Sequence, residues 1–293
     1  RLARNSKGSY VMSASTFVGE LFRFASDGRF VATIGRRGDG PGEFAKEQLL
    51  MFDAHDSLHA VAIGGGRHSV LGPSLTRVER STVVTARVLD ARWVPNGQFL
   101  ALAPTSQANR SYALQLLGRE GVRAIAFDEV PAGAQGPLAL GRALAIDRQG
   151  GLWSGAFGRY QLRSWDAAGQ LRLEAEGRRP WFQSSASDQS PMRRTGPSVQ
   201  LGGIEFDEEG LLWLFFLVPS VRGGAAPAGG TSGQGALSFS TVIEVIDPRE
   251  MQLLATGRYP RFVLPFQRGL AYSVEESPSG ETDVRIMSLR LRK

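Results

Sequence analysis

With 293 residues, 42% of them apolar, the chain can fill a complete core and should bury roughly three-quarters of its unfolded surface. The lack of any cysteine excludes disulfides, zinc–thiolate centres, iron–sulfur ligation and thiol nucleophiles. The net charge of +6 rests on 31 Arg and only 3 Lys, scattered through every segment instead of lining one face with stacking aromatics, which argues against nucleic-acid binding.

The chain begins at Arg1 rather than Met, so it reads as processed or incomplete at its start. A signal peptide, lipid anchor or helix ahead of that point is left open. The first clear pattern is Leu21-Phe-Arg-Phe-Ala-Ser-Asp-Gly-Arg-Phe30, an apolar strand, a turn and a second strand. A glycine-rich linker follows, Ile34-Gly-Arg-Arg-Gly-Asp-Gly-Pro-Gly-Glu-Phe44. The first pattern returns as Leu162-Arg-Ser-Trp-Asp-Ala-Ala-Gly-Gln-Leu171 and more loosely as Leu114-Gln-Leu-Leu-Gly-Arg-Glu-Gly-Val122.

A second pattern alternates with it. Its clean copies are Leu144-Ala-Ile-Asp-Arg-Gln-Gly-Gly-Leu-Trp153 and Ile204-Glu-Phe-Asp-Glu-Glu-Gly-Leu-Leu-Trp213, with looser ones at Leu50–Leu58 and Ala91–Phe99. Asp followed three residues later by Gly suits a tight hairpin, because the carboxylate accepts backbone N–H groups and Gly tolerates positive φ. Trp153 and Trp213 hold one repeat position, which favours packing roles for both.

Helical periodicity is nearly absent, and Gly or Pro punctuates the chain every 8–12 residues. The longest apolar run, Leu211–Val218, falls far short of the roughly 20 residues of a membrane-spanning helix and reads as a strand buried on both faces. Self-similarity at about 40–50 residues means blades or coils. Six units result, at about 9–35, 47–86, 88–128, 139–176, 200–256 and 258–293. The expected fold is therefore all-β: one six-bladed β-propeller domain over 1–293, its blades four-stranded and antiparallel. One blade is expected to be completed by pairing of the N- and C-terminal segments, which removes exposed sheet edges. Insertions at about 180–199 and 222–236 interrupt the repeat.

The Gly-Asp-Gly-Pro-Gly-Glu-Phe linker at 38–44, the Asp-x-x-Gly-x-Leu-Trp units and the Phe-x-x-x-Gly unit at 24–28 together resemble the NHL-like six-bladed β-propellers, particularly the bacterial extracytoplasmic kind. That resemblance implies a ligand- or protein-binding platform without catalysis. It also keeps in view a minority of related propellers that are lactonases, esterases or lyases with a central metal.

Candidate chemistry is sparse. His55 and His59, near Asp53, have a zinc-like spacing only on a helix, whereas this segment reads as an exposed hairpin. Glu205 and Asp90 are the acids placed to face a central channel, too few for a calcium cage of six to eight oxygens. No serine-hydrolase elbow and no phosphate loop occur. No cofactor is expected. The candidate partner contacts are Arg178, Arg179, Trp181, Arg193 and Arg194 in the first insertion, and Arg222, Gly224, Pro227 and Gly230 in the second, since aromatic and Arg side chains anchor interfaces. The resulting expectation is an extracytoplasmic, periplasmic-type accessory subunit that binds other protein subunits of a larger, membrane-bound assembly. A metal-dependent hydrolase or lyase and a small-molecule or glycan receptor are the alternatives.

Overall fold

Short apolar strands broken by Asp, Asn and Gly turns pair with their chain neighbours, and the computed structural model shows this sheet by sheet. It describes residues 1–13, 19–107, 110–118, 123–130, 137–182, 199–220, 238–267, 269–276 and 282–291. The first sheet contains β1 (Leu2–Arg4), β2 (Tyr10–Ser13), β3 (Leu21–Phe24) and β4 (Phe30–Ile34); the second β5 (Gln48–Phe52), β6 (Leu58–Ala62), β7 (Gly66–Leu71) and β8 (Val78–Val84). The third contains β9 (Asp90–Trp93), β10 (Phe99–Gln107), β11 (Arg110–Leu117) and β12 (Arg123–Val130). After a single helical turn, α1 (Pro137–Leu140), comes the fourth: β13 (Arg142–Ile146), β14 (Leu152–Ala156), β15 (Gln161–Trp165) and β16 (Leu171–Glu176). The fifth holds β17 (Gln200–Phe206), β18 (Leu212–Ser220), β19 (Ser238–Asp247) and β20 (Gln252–Tyr259), and the sixth β21 (Leu264–Gln267), β22 (Leu270–Glu276) and β23 (Thr282–Ser288).

Each sheet is a meander in which strand order follows chain order. This is the blade succession of a six-bladed β-propeller, and the six repeat units fall on the six sheets. The first and last sheets differ from the repeat in detail among the described residues. The first sheet has its own opening strand, β1, whose Leu2 lies opposite Met12, and β23 pairs with β22. The sixth sheet has three strands there instead of four. Three residues, Leu-Ala-Arg, are too short to display an alternation, which is why β1 left no pattern in the sequence.

By compactness the chain divides into one unit of residues 1–135, 144–153 and 163–173 and another of 136–143, 154–162 and 174–293. In the first unit, Ala3, Val11, Leu21, Ile34, Leu50, Leu58 and Leu71 fill the space between the first two sheets, with Phe44 from the linker among them. Leu49, Met51, Val61, Ala91, Phe99 and Leu117 do the same between the second and third. In the second unit Trp213, Phe215, Ile243, Val245, Val263 and Ala271 join the fifth and sixth sheets. Strands β6 and β14 are buried at every residue, whereas outermost strands such as β16 and β20 are largely exposed. The Leu211–Val218 run accordingly forms β18, buried from Leu212 to Leu217.

The glycine-rich linker folds back on itself. Glu43 accepts the Gly40 N–H at 2.9 Å and Arg36 Nε at 2.8 Å, and the Phe44 N–H donates to the Arg36 carbonyl at 2.8 Å. The Gly40 N–H, then the Arg36 guanidinium, hold the Glu43 carboxyl below the usual carboxylate range. Closure of this loop inserts Phe44, 2% exposed, between the first two sheets. Gly35, at φ 75°, lies against the Phe44 ring so closely that an added Cβ would meet a ring carbon at 2.4 Å.

Candidate functional site

The hairpin turns account for most of the acids. Asp147 Oδ1 accepts the N–H groups of Gln149 and Gly151, and its Oδ2 accepts Trp153 Nε1 at 3.1 Å. Asp207 repeats this with Glu209, Leu211 and, at 2.8 Å, Trp213 Nε1. The two tryptophans therefore pack and also tie down the turn that precedes them.

His59 occupies the same repeat position after Asp53. Its Nε2 lies 3.3 Å from Asp53 Oδ2, and the N–H groups of His55 and Ser57 donate to Oδ1. Burial would raise the Asp53 carboxyl, but the Ser57 and His55 N–H groups together with His59 outweigh it and leave the carboxyl below its ordinary value. The exposed-hairpin reading holds for His55 alone. His59 is 2% and His68 0% exposed; their Nδ1 and Nε2 are 3.0 Å apart, and His59 stacks on Trp93 with ring centroids at 4.2 Å. In the sequence, the clue was that His59 stands where Trp153 and Trp213 stand.

Asp90 opens β9, accepting from the Ala91 N–H and pairing with Arg92 Nη1 at 3.0 Å. Glu205, in β17 and 5% exposed, accepts the Phe206 N–H at 3.1 Å. Among the described residues no three or more His, Asp or Glu side chains gather as metal ligands. Nor is any helix there long and apolar enough to cross a membrane.

The most concentrated polar cluster lies in the second unit. Along β18, Trp213 and Phe215 face the cluster shared with the sixth sheet, so Leu214 and Phe216 face the other way, with Glu244 opposite Leu214 on β19. Glu244, 1% exposed, receives the Tyr160 hydroxyl on Oε2 and Arg179 Nε on Oε1 at 2.8 Å. Arg179 Nη2 also donates to the Tyr160 oxygen at 3.1 Å, and its guanidinium carbon sits 4.7 Å from the Tyr160 ring centre. Tyr160 stacks on Phe216 at 5.4 Å, and Trp181 and Phe182 meet Phe216 edge-on at 5.0 and 5.5 Å. Burial, then Glu244, raises the Tyr160 hydroxyl well above its ordinary range, and the bond to Glu244 raises Arg179.

Of the predicted contact residues, Arg178 is exposed, while Arg179 and Trp181 are half-buried and strap residues 178–182 onto this cluster. Arg193, Arg194, Arg222, Gly224, Pro227 and Gly230 lie outside the described residues. Tyr160 and Glu244 were not singled out in the sequence. A lone acid inside the apolar Val242-Ile-Glu-Val-Ile246 strand was the available signal.

The outermost strands expose large apolar side chains: Phe30 and Val31 on β4, Val83 on β8, Leu171 on β16, and Leu253, Leu254 and Tyr259 on β20. In the sixth sheet Val274 and Ile286 are exposed at 45% and 37%.

No family model matches the chain, and no curated protein matches it. Solved structures do resemble it. The β-propeller domain of Cps50 (Swd1) from Myceliophteria thermophila is 14% identical with a TM-score of 0.52, over 99% of this chain and 95% of that one. Virginiamycin B lyase from Staphylococcus aureus is 10% identical with a TM-score of 0.50, over 99% and 94%. A putative exported protein from Bacteroides fragilis is 11% identical with a TM-score of 0.56, over 93% and 78%. At such identities the likeness is one of fold, and that fold is the β-propeller.

Proposed function

We propose that this chain is a non-catalytic, NHL-like protein-interaction platform, an extracytoplasmic accessory subunit that binds other proteins of a larger, membrane-associated assembly. The observation that carries this reading is the recurrence of exposed large apolar residues on the outermost strands β4, β8, β16 and β20. Single exposed apolar residues are ordinary on soluble proteins, but repetition along edge strands is a feature of binding surfaces. A second support is the engagement of the acids. Asp128, Glu205, Asp207 and Glu244 are all buried, and each is hydrogen-bonded within the fold, Asp128 through Arg163 Nη1 at 2.5 Å. A lyase or hydrolase would need such groups turned toward a substrate.

The test is native size. Tagged protein recovered from its source under mild detergent should migrate in a complex much larger than the free chain. Leu171→Glu combined with Leu253→Glu and Leu254→Glu should release it. Wild-type protein recovered only as a free monomer overturns the reading.

A further inference from the structure

We propose that the cavity between the fifth and sixth sheets is a binding site for an uncharged sugar, a pyranose unit that is free or ends a glycan chain. This goes beyond the platform reading and does not depend on it.

The cavity measures about 610 Å³, within the range of small-ligand sites. Its walls include Tyr259, Arg261 and Val263, from the end of the fifth sheet and the connection that follows, and Ser273, Arg285 and Met287 of the sixth. Strand alternation explains where these side chains point. Ala271 belongs to the core shared with Trp213 and Phe215 of the fifth sheet, so Ser273 and Glu275 on the same strand face that way too. Opposite Ala271, Ser273 and Glu275 stand Met287, Arg285 and Asp283 of β23, and directly opposed side chains share a face.

Ser273 is the residue that points to a ligand. It is 4% exposed and lines the cavity, yet its hydroxyl has no hydrogen-bonding partner among the described residues. A buried hydroxyl left without a partner costs free energy. A ligand hydroxyl, both donor and acceptor, removes that cost.

The charges on this face argue against an ion. Arg261 and Arg285 both reach Glu275, the latter at 3.3 Å, and Asp283 lies opposite Glu275, so two guanidiniums meet two carboxylates. Their sum is zero, and neither an anion nor a cation is drawn in. The same groups form a set of donors and acceptors, because Glu275 holds both guanidiniums in place while their other N–H groups remain at the rim. Tyr259, 49% exposed, adds an aromatic ring to the wall. A wholly apolar ligand would leave the Ser273 hydroxyl and the rim guanidiniums without partners. The matching ligand is uncharged, carries several hydroxyls and has one face of C–H groups to lie on the ring, which describes a pyranose.

The test titrates the whole chain with the methyl glycosides of glucose, galactose and mannose by isothermal titration calorimetry, with glucuronate and glucosamine as charged controls. At least one neutral glycoside should bind at millimolar concentration, and more tightly than either control. Ser273→Ala should weaken it about three- to tenfold, the worth of one hydrogen bond. That variant should keep the wild-type denaturation midpoint, since no internal hydrogen bond is lost. Tyr259→Ala should weaken binding by a similar factor, and Tyr259→Phe, which keeps the ring, should match wild type. The same sugars immobilised as chain ends separate the two sources: tighter binding to the chain marks a glycan, and equal binding a free sugar. The proposal is overturned if no neutral glycoside binds, if a charged control binds better, or if Ser273→Ala and Tyr259→Ala both keep wild-type affinity. Failure of these titrations leaves the platform reading standing, because that reading is tested by native size alone.

Discussion

Glu244 is a carboxylate almost wholly removed from water, and what makes that tolerable is the pair of donors aimed at it. Tyr160→Phe removes one donor, and a hydrogen bond to a charged group contributes about 1.5–3 kcal/mol. Denaturant unfolding should show a loss in that range. Arg179→Met removes the counter-charge. Breaking a buried pair costs about 3–5 kcal/mol, and with Arg179 a quarter exposed and Tyr160 still donating, a loss near about 3 kcal/mol is expected. The hydroxyl of Tyr160 gives a spectroscopic handle. Its pKa is raised in the folded state, so its contribution to stability is complete below the ordinary tyrosine pKa and is lost only as pH rises through the higher folded value. Ultraviolet titration of wild type and Tyr160→Phe should therefore coincide up to about pH 11, beyond the ordinary tyrosine pKa. A smaller amplitude for the variant over that range would show that Tyr160 ionises normally.

At the scale of the element, the 35–44 linker and the Asp hairpins do the positioning. Phe44→Ala empties a site between two sheets and should cost about 3–5 kcal/mol by chemical denaturation. Gly35→Ala places a methyl group against the same ring at a positive φ, and a loss above about 1 kcal/mol is expected. Because the two positions touch, their effects should be non-additive in the double variant. These elements were largely legible from the residues. The Asp-x-x-Gly turns, the paired tryptophans and the both-faces-buried β18 follow from turn chemistry and strand periodicity. The Tyr160–Arg179–Glu244 cluster was not legible, because its members are distant in the chain and meet only through packing. Arg179 and Trp181 drew attention as candidate partner contacts, and the fold leaves both half-buried. The buried state of His59 and His68 depended on recognising His59 as a substitute for tryptophan.

For the molecule as a whole, acid is the informative perturbation. Glu43, Asp53 and Asp166 all have depressed pKa values; for Asp166 the Gln170 N–H is the largest cause. A depressed carboxyl stabilises the fold above its unfolded pKa, about 4, and this contribution disappears as pH falls through the lower folded value. Melting temperature should be nearly level from about pH 7 to 5 and fall steeply below about pH 4. A profile flat to pH 3 would mean that these turns contribute nothing. The six-sheet succession was readable because each sheet repeats one chain pattern. That the sixth sheet has three strands among the described residues was not, since strand number depends on pairing rather than pattern. Each sheet is built from one unbroken stretch, the first from residues 2–34 alone. During synthesis, hydrogen bonding within a sheet can thus be finished soon after its last strand emerges, without waiting for distant sequence.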